Sequence, residues 1–133
     1  MATNALRPSL ALLGILSLLG GARLTAQARP AGVTDSLVEA GRMIYLGAGQ
    51  CSGCHGEQGE GTEVGEALRS GTWKLGSGDY EWLTMIIRHS GVAARGRDGD
   101  PMAMRGPTLL SPEEVSAVAA YVWSISRERV PKP

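Results

Sequence analysis

The stretch Cys51-Ser52-Gly53-Cys54-His55 contains both cysteines of the 133-residue chain, and a histidine directly follows the second of them. Thiols three residues apart on a helical turn lie on one side of it, so a single flat ligand can reach both. The imidazole of His55 then lies beside the same ligand, with a ring nitrogen able to bind a metal ion. The spacing predicts a covalent attachment site.

Cys-x-x-Cys-His is the attachment signature of c-type haem. We therefore predict one haem c, with Cys51 and Cys54 as its thioether links and His55 as an axial ligand of its iron. A structural disulfide between the two cysteines is the alternative that an exported protein allows. A thioredoxin-like redox pair needs a strand–helix context, and a zinc site needs a fourth ligand. The sequence shows neither, which favours haem.

Two methionines in one loop are candidates for the second axial ligand. Met102 and Met104 are separated by one residue, so in an extended segment they point to opposite sides and only one can face the iron. Pro101 pushes Asp100 towards an extended conformation and presents Met102 first. We predict Met102 as the ligand, and Met104 remains the alternative.

Other candidate residues near the cofactor have simpler explanations. His89 is a competing candidate ligand of the iron, but it lies in the last turn of a predicted helix, where a surface histidine is favoured by the helix C-terminus. Met43 and Met85 lie on predicted helices and are expected to pack in the core. Trp73 and Arg105 are candidate partners for haem propionates, although each could equally be a packing or surface residue.

The composition fits one small domain built around a large ligand. The chain has no phenylalanine, and aromatic residues make up 5% of it, against 19 glycines. A domain of this size usually relies on aromatic rings to fill its core. A haem would supply the missing ring, and we expect no stable fold without it. The 13 basic and 13 acidic residues, without a basic block, argue against nucleic-acid binding.

The first 28 residues predict a signal peptide rather than part of the fold. Arg7 precedes the apolar run Leu10–Ala22, and Ala26-Gln27-Ala28 offers a small-x-small cleavage pattern. The folded domain would then cover residues 29–133 of an exported, periplasmic protein. An uncleaved segment that anchors the protein in the membrane is the alternative. Cleavage would remove Arg7 and Arg23 with the leader and reduce the 13 basic residues to 11, against 13 acidic ones. The exported domain would then carry a mild negative charge.

Helix signals dominate the rest of the chain. Ser36-Leu37-Val38-Glu39 fits a capping box, and Ser111-Pro112-Glu113-Glu114 combines an N-cap serine with proline at the first helical position. Asp79 is a predicted N-cap, and Gly91 is placed to end the same helix. No alternating strand pattern is found. We predict an all-α domain of three or more helices with two long glycine-rich loops, Gly56–Gly78 and Gly91–Leu110.

Taken in order, three groups of residues resemble the monohaem class I cytochromes c of bacteria. They are Gly41-x-x-x-Tyr45 ahead of the Cys-x-x-Cys-His motif, the loop Met102–Pro107, and Leu110–Val115 leading into the last helix. The resemblance implies a small cytochrome c fold wrapped around one covalent haem. It also implies that the first and last helices cross closely at Gly41, and that Tyr45 packs near Val118 and Tyr121.

The resemblance supports Met102 but departs from the family at two positions. The family's ligand methionine commonly stands in Met-Pro-x-x-Gly about nine residues before the N-cap of the last helix, and Met102 matches that position. Ala103 replaces the proline, which keeps Met104 open. The carbonyl that accepts the proton of the ligand histidine is often a proline's, and no proline lies between His55 and Pro101.

The resemblance implies an electron carrier and not an enzyme. Its partners would be redox proteins, one donor and one acceptor, and a membrane-bound oxidase or dehydrogenase could be one of them. An electron-relay subunit of a larger dehydrogenase or oxidase complex is a second interpretation. A haem enzyme or gas-binding protein with an open iron site is a third, and it requires that no methionine binds the iron.

Overall fold

A computed structural model describes residues 28–89, 102 and 109–128. Within this part of the chain the regular secondary structure consists of helices, joined by turns and loops, which confirms the all-α prediction. Its helices are α1 (Asp35–Leu46), α2 (Ser52–His55), α3 (Tyr80–Arg88) and α4 (Pro112–Ile125). The predicted features that lie outside the described residues are the leader up to residue 27, Gly91 and most of its loop, Pro101, Met104 and Arg105.

Helix α1 begins two residues earlier than the sequence indicates. Its N-cap is Thr34, whose hydroxyl accepts a hydrogen bond from the Leu37 N–H at 3.1 Å. The predicted capping box on Ser36 is therefore wrong. Val33, just before the N-cap, is buried, and Val38 packs against the same core. These are the two positions of a hydrophobic staple, which fixes where the chain enters a helix.

The other two long helices begin where the sequence predicts. The Asp79 carboxylate accepts a hydrogen bond from the Trp82 N–H at 2.8 Å and caps α3. Ser111 and Glu114 form a complete capping box at the start of α4, with distances of 3.2 and 2.7 Å. Local capping chemistry fixes both starts because it satisfies backbone N–H groups that have no partner within the helix.

The core is formed where α4 packs against α1 and α3. Helix α4 is buried on most of its surface, from Val115 to Ile125. It crosses α1 at Gly41, where a methyl group would overlap the Ala117 carbonyl. Beside this crossing, the rings of Tyr45 and Tyr121 meet edge to face, with centroids 5.1 Å apart. The close approach at Gly41 and the packing of Tyr45 on Tyr121 are as expected.

Two methionines expected in the core are exposed instead. Met43 is 59% exposed and Met85 is 43% exposed. On α1 the buried positions are Gly41 and Tyr45, four residues apart, so Met43 midway between them faces the opposite side. Met85 lies in the same way between the buried Leu83 and Ile87 of α3. The prediction that both methionines pack in the core is wrong.

Among the described residues, none of the helices has the length and apolar character needed to cross a membrane.

Candidate functional site

The motif forms a single helical turn. Cys51 occupies the N-cap position of α2, and its carbonyl accepts hydrogen bonds from the backbone N–H groups of Cys54 at 3.2 Å and His55 at 2.9 Å. Cys51 is half-buried and Cys54 is exposed, and their thiols are not joined. Burial raises the pKa of the Cys51 thiol to about 11. One thiol thus faces the protein and the other faces solvent.

Hydrogen bonds from the end of α1 hold this turn in place. The Cys51 N–H donates to the Tyr45 carbonyl at 3.1 Å, and the Gly49 N–H donates to the Ile44 carbonyl at 2.7 Å. The buried Tyr45 hydroxyl donates to the carbonyl of Gly56, just after the motif, at 2.7 Å. Both ends of the motif are therefore attached to the helix that forms the main crossing.

The imidazole of His55 is oriented by a backbone carbonyl. Its Nδ1 lies 2.8 Å from the Glu66 carbonyl oxygen. Because a carbonyl can only accept, Nδ1 carries the proton and Nε2 has the lone pair that can bind a metal. Such a partner fixes the ring and makes the other nitrogen a stronger ligand.

The Glu66 carbonyl is a partner of the candidate ligand His55 that the sequence does not reveal. The expected proline carbonyl is absent from this stretch, and any residue can supply a backbone carbonyl in its place. The signal available in the sequence is indirect. A glycine-rich segment follows His55 directly, as expected for backbone that folds back onto the motif.

The remaining candidates are placed as follows. Met102 is half-buried, with neighbours on both sides outside the described residues. His89 is exposed at the C-cap of α3, as expected of a surface histidine. Trp73 meets Trp82 edge to face at 5.6 Å, and its indole covers Gly78, so it packs against the protein.

The donor set fits a covalently held haem. Two separate thiols lie on one turn, and the next residue is a histidine whose Nδ1 is already bonded. No strand accompanies the motif within the described residues, which removes the thioredoxin-like context. Those residues also contain no group of three or more His, Cys, Asp or Glu side chains that could hold a metal ion.

Comparison with known proteins agrees with this geometry. A family model described as Cytochrome c matches residues 38–126, which include the attachment motif and the crossing of α1 with α4. The chain belongs to the cytochrome c family. Its cofactor is accordingly a covalently bound haem c, and its fold is the small all-α fold of that family. Members of this family are typically electron carriers that exchange electrons with redox protein partners.

Among individual proteins, the chain is similar to a cytochrome c4 of Azotobacter vinelandii. The two are 30% identical over 112 residues, which cover 78% of this chain and 51% of the relative. The chain thus spans about half the length of the curated relative that it matches. No solved structure gives a significant match.

Proposed function

We propose that the protein is a periplasmic carrier of single electrons, with Cys51 and Cys54 as the thioether links of its haem and His55 and Met102 as the axial ligands. The observation that carries the proposal is the hydrogen bond between His55 Nδ1 and the Glu66 carbonyl at 2.8 Å. It leaves Nε2 of a fixed imidazole beside two separate thiols on the same turn.

Each residue has a defined task in this function. The haem supplies reversible one-electron chemistry at its iron. His55 and Met102 would hold the iron in both oxidation states, so the structural change on electron transfer would be small. The haem edge near the Cys51 and Cys54 thioethers would remain open to a partner. The protein therefore binds and orients the cofactor and leaves one edge accessible.

The proposal includes export. Residues 1–28 would act as a signal peptide, and residues 29–133 would form the cytochrome c domain in the periplasm. The haem would be attached there through both cysteines. Membrane attachment through an uncleaved leader is the other possible outcome. The mass of the purified protein, measured for the intact chain, distinguishes a start near Arg29 from retention of the leader.

Extraction tests the covalent link. In acidified organic solvent, haem held by two thioethers stays with the protein, and we expect no free haem in the organic phase. The double variant Cys51→Ala/Cys54→Ala should release any haem that it binds. Release of haem from the unaltered protein would contradict the proposal.

Paired methionine variants test the axial ligand. Oxidised protein with methionine bound to iron shows a weak long-wavelength absorption band, and we expect Met102→Ala to remove it. Met104→Ala is the matched control and should keep it. Loss of the band in Met104→Ala alone would transfer the assignment to Met104.

A relay subunit within a larger complex is the second candidate function. A carrier should elute alone and reduce or oxidise its partners by transient encounter, whereas a relay subunit should co-purify with them at fixed stoichiometry. A carbon monoxide titration separates both from a gas-binding or enzymatic haem protein, which should bind the gas rapidly when reduced.

A further inference from the structure

Residues 61–66, called here the carbonyl loop, pack against the end of α2. The loop contacts two successive residues of the motif through hydrogen bonds. The Thr62 hydroxyl donates to the Cys54 carbonyl at 2.6 Å, and His55 Nδ1 donates to the Glu66 carbonyl at 2.8 Å. The carbonyl loop therefore touches the motif at a thiol-bearing residue and at the histidine next to it.

Thr62 organises the interior of the carbonyl loop as well. Its hydroxyl oxygen accepts hydrogen bonds from the backbone N–H groups of Val64 at 3.1 Å and Gly65 at 3.3 Å. Its own backbone N–H donates to the Gly65 carbonyl at 3.0 Å. One side chain thus joins the Cys54 carbonyl to the residue that immediately precedes Glu66.

The backbone of the carbonyl loop packs tightly against the motif at Gly65. At Gly65 a methyl group would overlap the Cys54 carbonyl and would lie 3.1 Å from His55 Nδ1. The backbone of the carbonyl loop is therefore in direct contact with the motif at this position. A small displacement here changes the distance between the Glu66 carbonyl and His55.

Glu66 has a second contact, an ion pair with Lys74, which holds it more weakly than the hydrogen bonds of Thr62 do. The Glu66 carboxylate accepts a hydrogen bond from Lys74 Nζ at 2.7 Å, with the two side chains 38% and 72% exposed. Exposed ion pairs of this kind are screened by solvent and contribute about 0–1 kcal/mol. The hydroxyl of Thr62 acts on the backbone itself, which is the part of Glu66 that reaches His55.

We propose that Thr62 is a positioning residue that sets the reduction potential by holding the Glu66 carbonyl against His55 Nδ1. The proposal rests on the proposed function, since His55 must be the iron ligand. A stronger Nδ1–H···O=C bond makes the imidazole more basic and favours oxidised iron. Loss of the Thr62 hydroxyl weakens this bond, so the potential should rise.

The experiment compares the haem-loaded protein with Thr62→Val, which has the same shape and no hydroxyl, and with Thr62→Ser, which keeps the hydroxyl. Thr72→Val, at an exposed threonine outside the carbonyl loop, is the matched control. We expect the ratio of reduced to oxidised Thr62→Val at a fixed ambient potential to increase about tenfold, equivalent to 59 mV for one electron. Thr62→Ser and Thr72→Val should stay within about twofold of the unaltered protein.

A second measurement reports on the hydrogen bond itself. In the reduced unaltered protein the His55 Nδ1 proton should exchange slowly with solvent, and in Thr62→Val it should exchange about tenfold faster by NMR. Unchanged potential and exchange in Thr62→Val would overturn the proposal, as would equal shifts in Thr72→Val. If Thr62→Val does not fold, two other results decide. Fast exchange of the His55 Nδ1 proton in the unaltered protein, or a shifted potential in Thr62→Ser, overturns the proposal. Slow exchange of that proton and an unshifted potential in Thr62→Ser support it. Absence of covalent haem from the unaltered protein would instead contradict the proposed function.

Discussion

Different forces hold two regions of the molecule together. One region is the crossing of α1 with α4, and the other is the carbonyl loop packed against the Cys-x-x-Cys-His motif. At the crossing, Gly41 lets the helix backbones approach, and Tyr45 and Tyr121 pack beside it among buried aliphatic side chains. In the carbonyl loop, backbone carbonyls and the Thr62 hydroxyl make the contacts with the motif, and the side chains of Glu63 and Val64 are exposed.

The difference assigns separate tasks to the two regions. Apolar packing at the crossing is strong and insensitive to small shifts in direction, so it supplies stability. Hydrogen bonds in the carbonyl loop are directional and contribute modestly to stability, so they supply geometry at His55. Changes at the crossing should therefore affect unfolding, and changes in the loop should affect the cofactor.

The largest expected effect comes from removing the cofactor. The holoprotein should unfold cooperatively, whereas Cys51→Ala/Cys54→Ala without haem should lose most of its helical circular dichroism and its cooperative transition. The reason is that a domain this small, poor in aromatic residues, buries too little apolar surface alone. Retention of a cooperative transition by the haem-free double variant would show that the crossing is a sufficient core.

The next effect concerns the crossing itself. Gly41→Ala should lower the free energy of unfolding of the holoprotein by about 3 kcal/mol, because the added methyl overlaps the Ala117 carbonyl and separates the helices. Ala40→Ser is the control, since it adds one atom at an exposed position of the same helix, next to Gly41. Chemical denaturation monitored by circular dichroism gives both values. Equal losses for the two variants would contradict the close approach at Gly41.

The same division explains how much could be predicted from the sequence. The starts of α3 and α4 were predictable because Asp79 and Ser111 act on backbone within three residues of themselves. The start of α1 was not, because Thr34, Asp35 and Ser36 can all cap a helix. Burial of Val33 before them favours Thr34, and burial is a property of the whole fold.

The candidate site divides in the same way. The sequence alone predicts Cys51, Cys54 and His55 as haem-binding residues, because the attachment chemistry depends on their spacing. The Glu66 carbonyl is not, because a carbonyl belongs to every residue and its selection depends on how the carbonyl loop folds back. The exposed faces of Met43 and Met85 were missed because each lies beside apolar neighbours in sequence but opposite the buried positions of its helix.

A tyrosine hydroxyl joins the two regions, and its removal should have an intermediate effect. Tyr45→Phe leaves the buried ring in place but removes the hydrogen bond to the Gly56 carbonyl at 2.7 Å. We expect the free energy of unfolding to fall by about 0.5–1.5 kcal/mol, because one buried hydrogen bond is lost while the Gly56 carbonyl still accepts from the Gly59 N–H at 3.2 Å. Tyr80→Phe is the control, since its bond to the Ser116 carbonyl is longer, at 3.3 Å, and less buried. A larger loss of unfolding free energy in Tyr80→Phe than in Tyr45→Phe would contradict the expectation that the buried hydrogen bond of Tyr45 contributes more.

The smallest expected effect lies at the cap of α3, away from both regions. The Ser77 hydroxyl, and then the Trp82 N–H, hold the pKa of Asp79 below its ordinary value. A lowered pKa in the folded protein stabilises it above the ordinary aspartate pKa, and this contribution is lost as the pH falls through the folded-state value. The asparagine side chain of the variant Asp79→Asn still caps the helix but does not titrate.

The unaltered holoprotein should therefore exceed Asp79→Asn in stability by less than about 1 kcal/mol at neutral pH, and the difference should vanish in acid. Urea denaturation of both proteins across the acid range measures it. Asp79→Ala, which loses the cap altogether, should lie about 1 kcal/mol lower at neutral pH. Parallel pH profiles for the unaltered protein and Asp79→Asn would mean that the carboxylate charge contributes nothing at this cap, and that the hydrogen bond to Trp82 alone holds the start of α3.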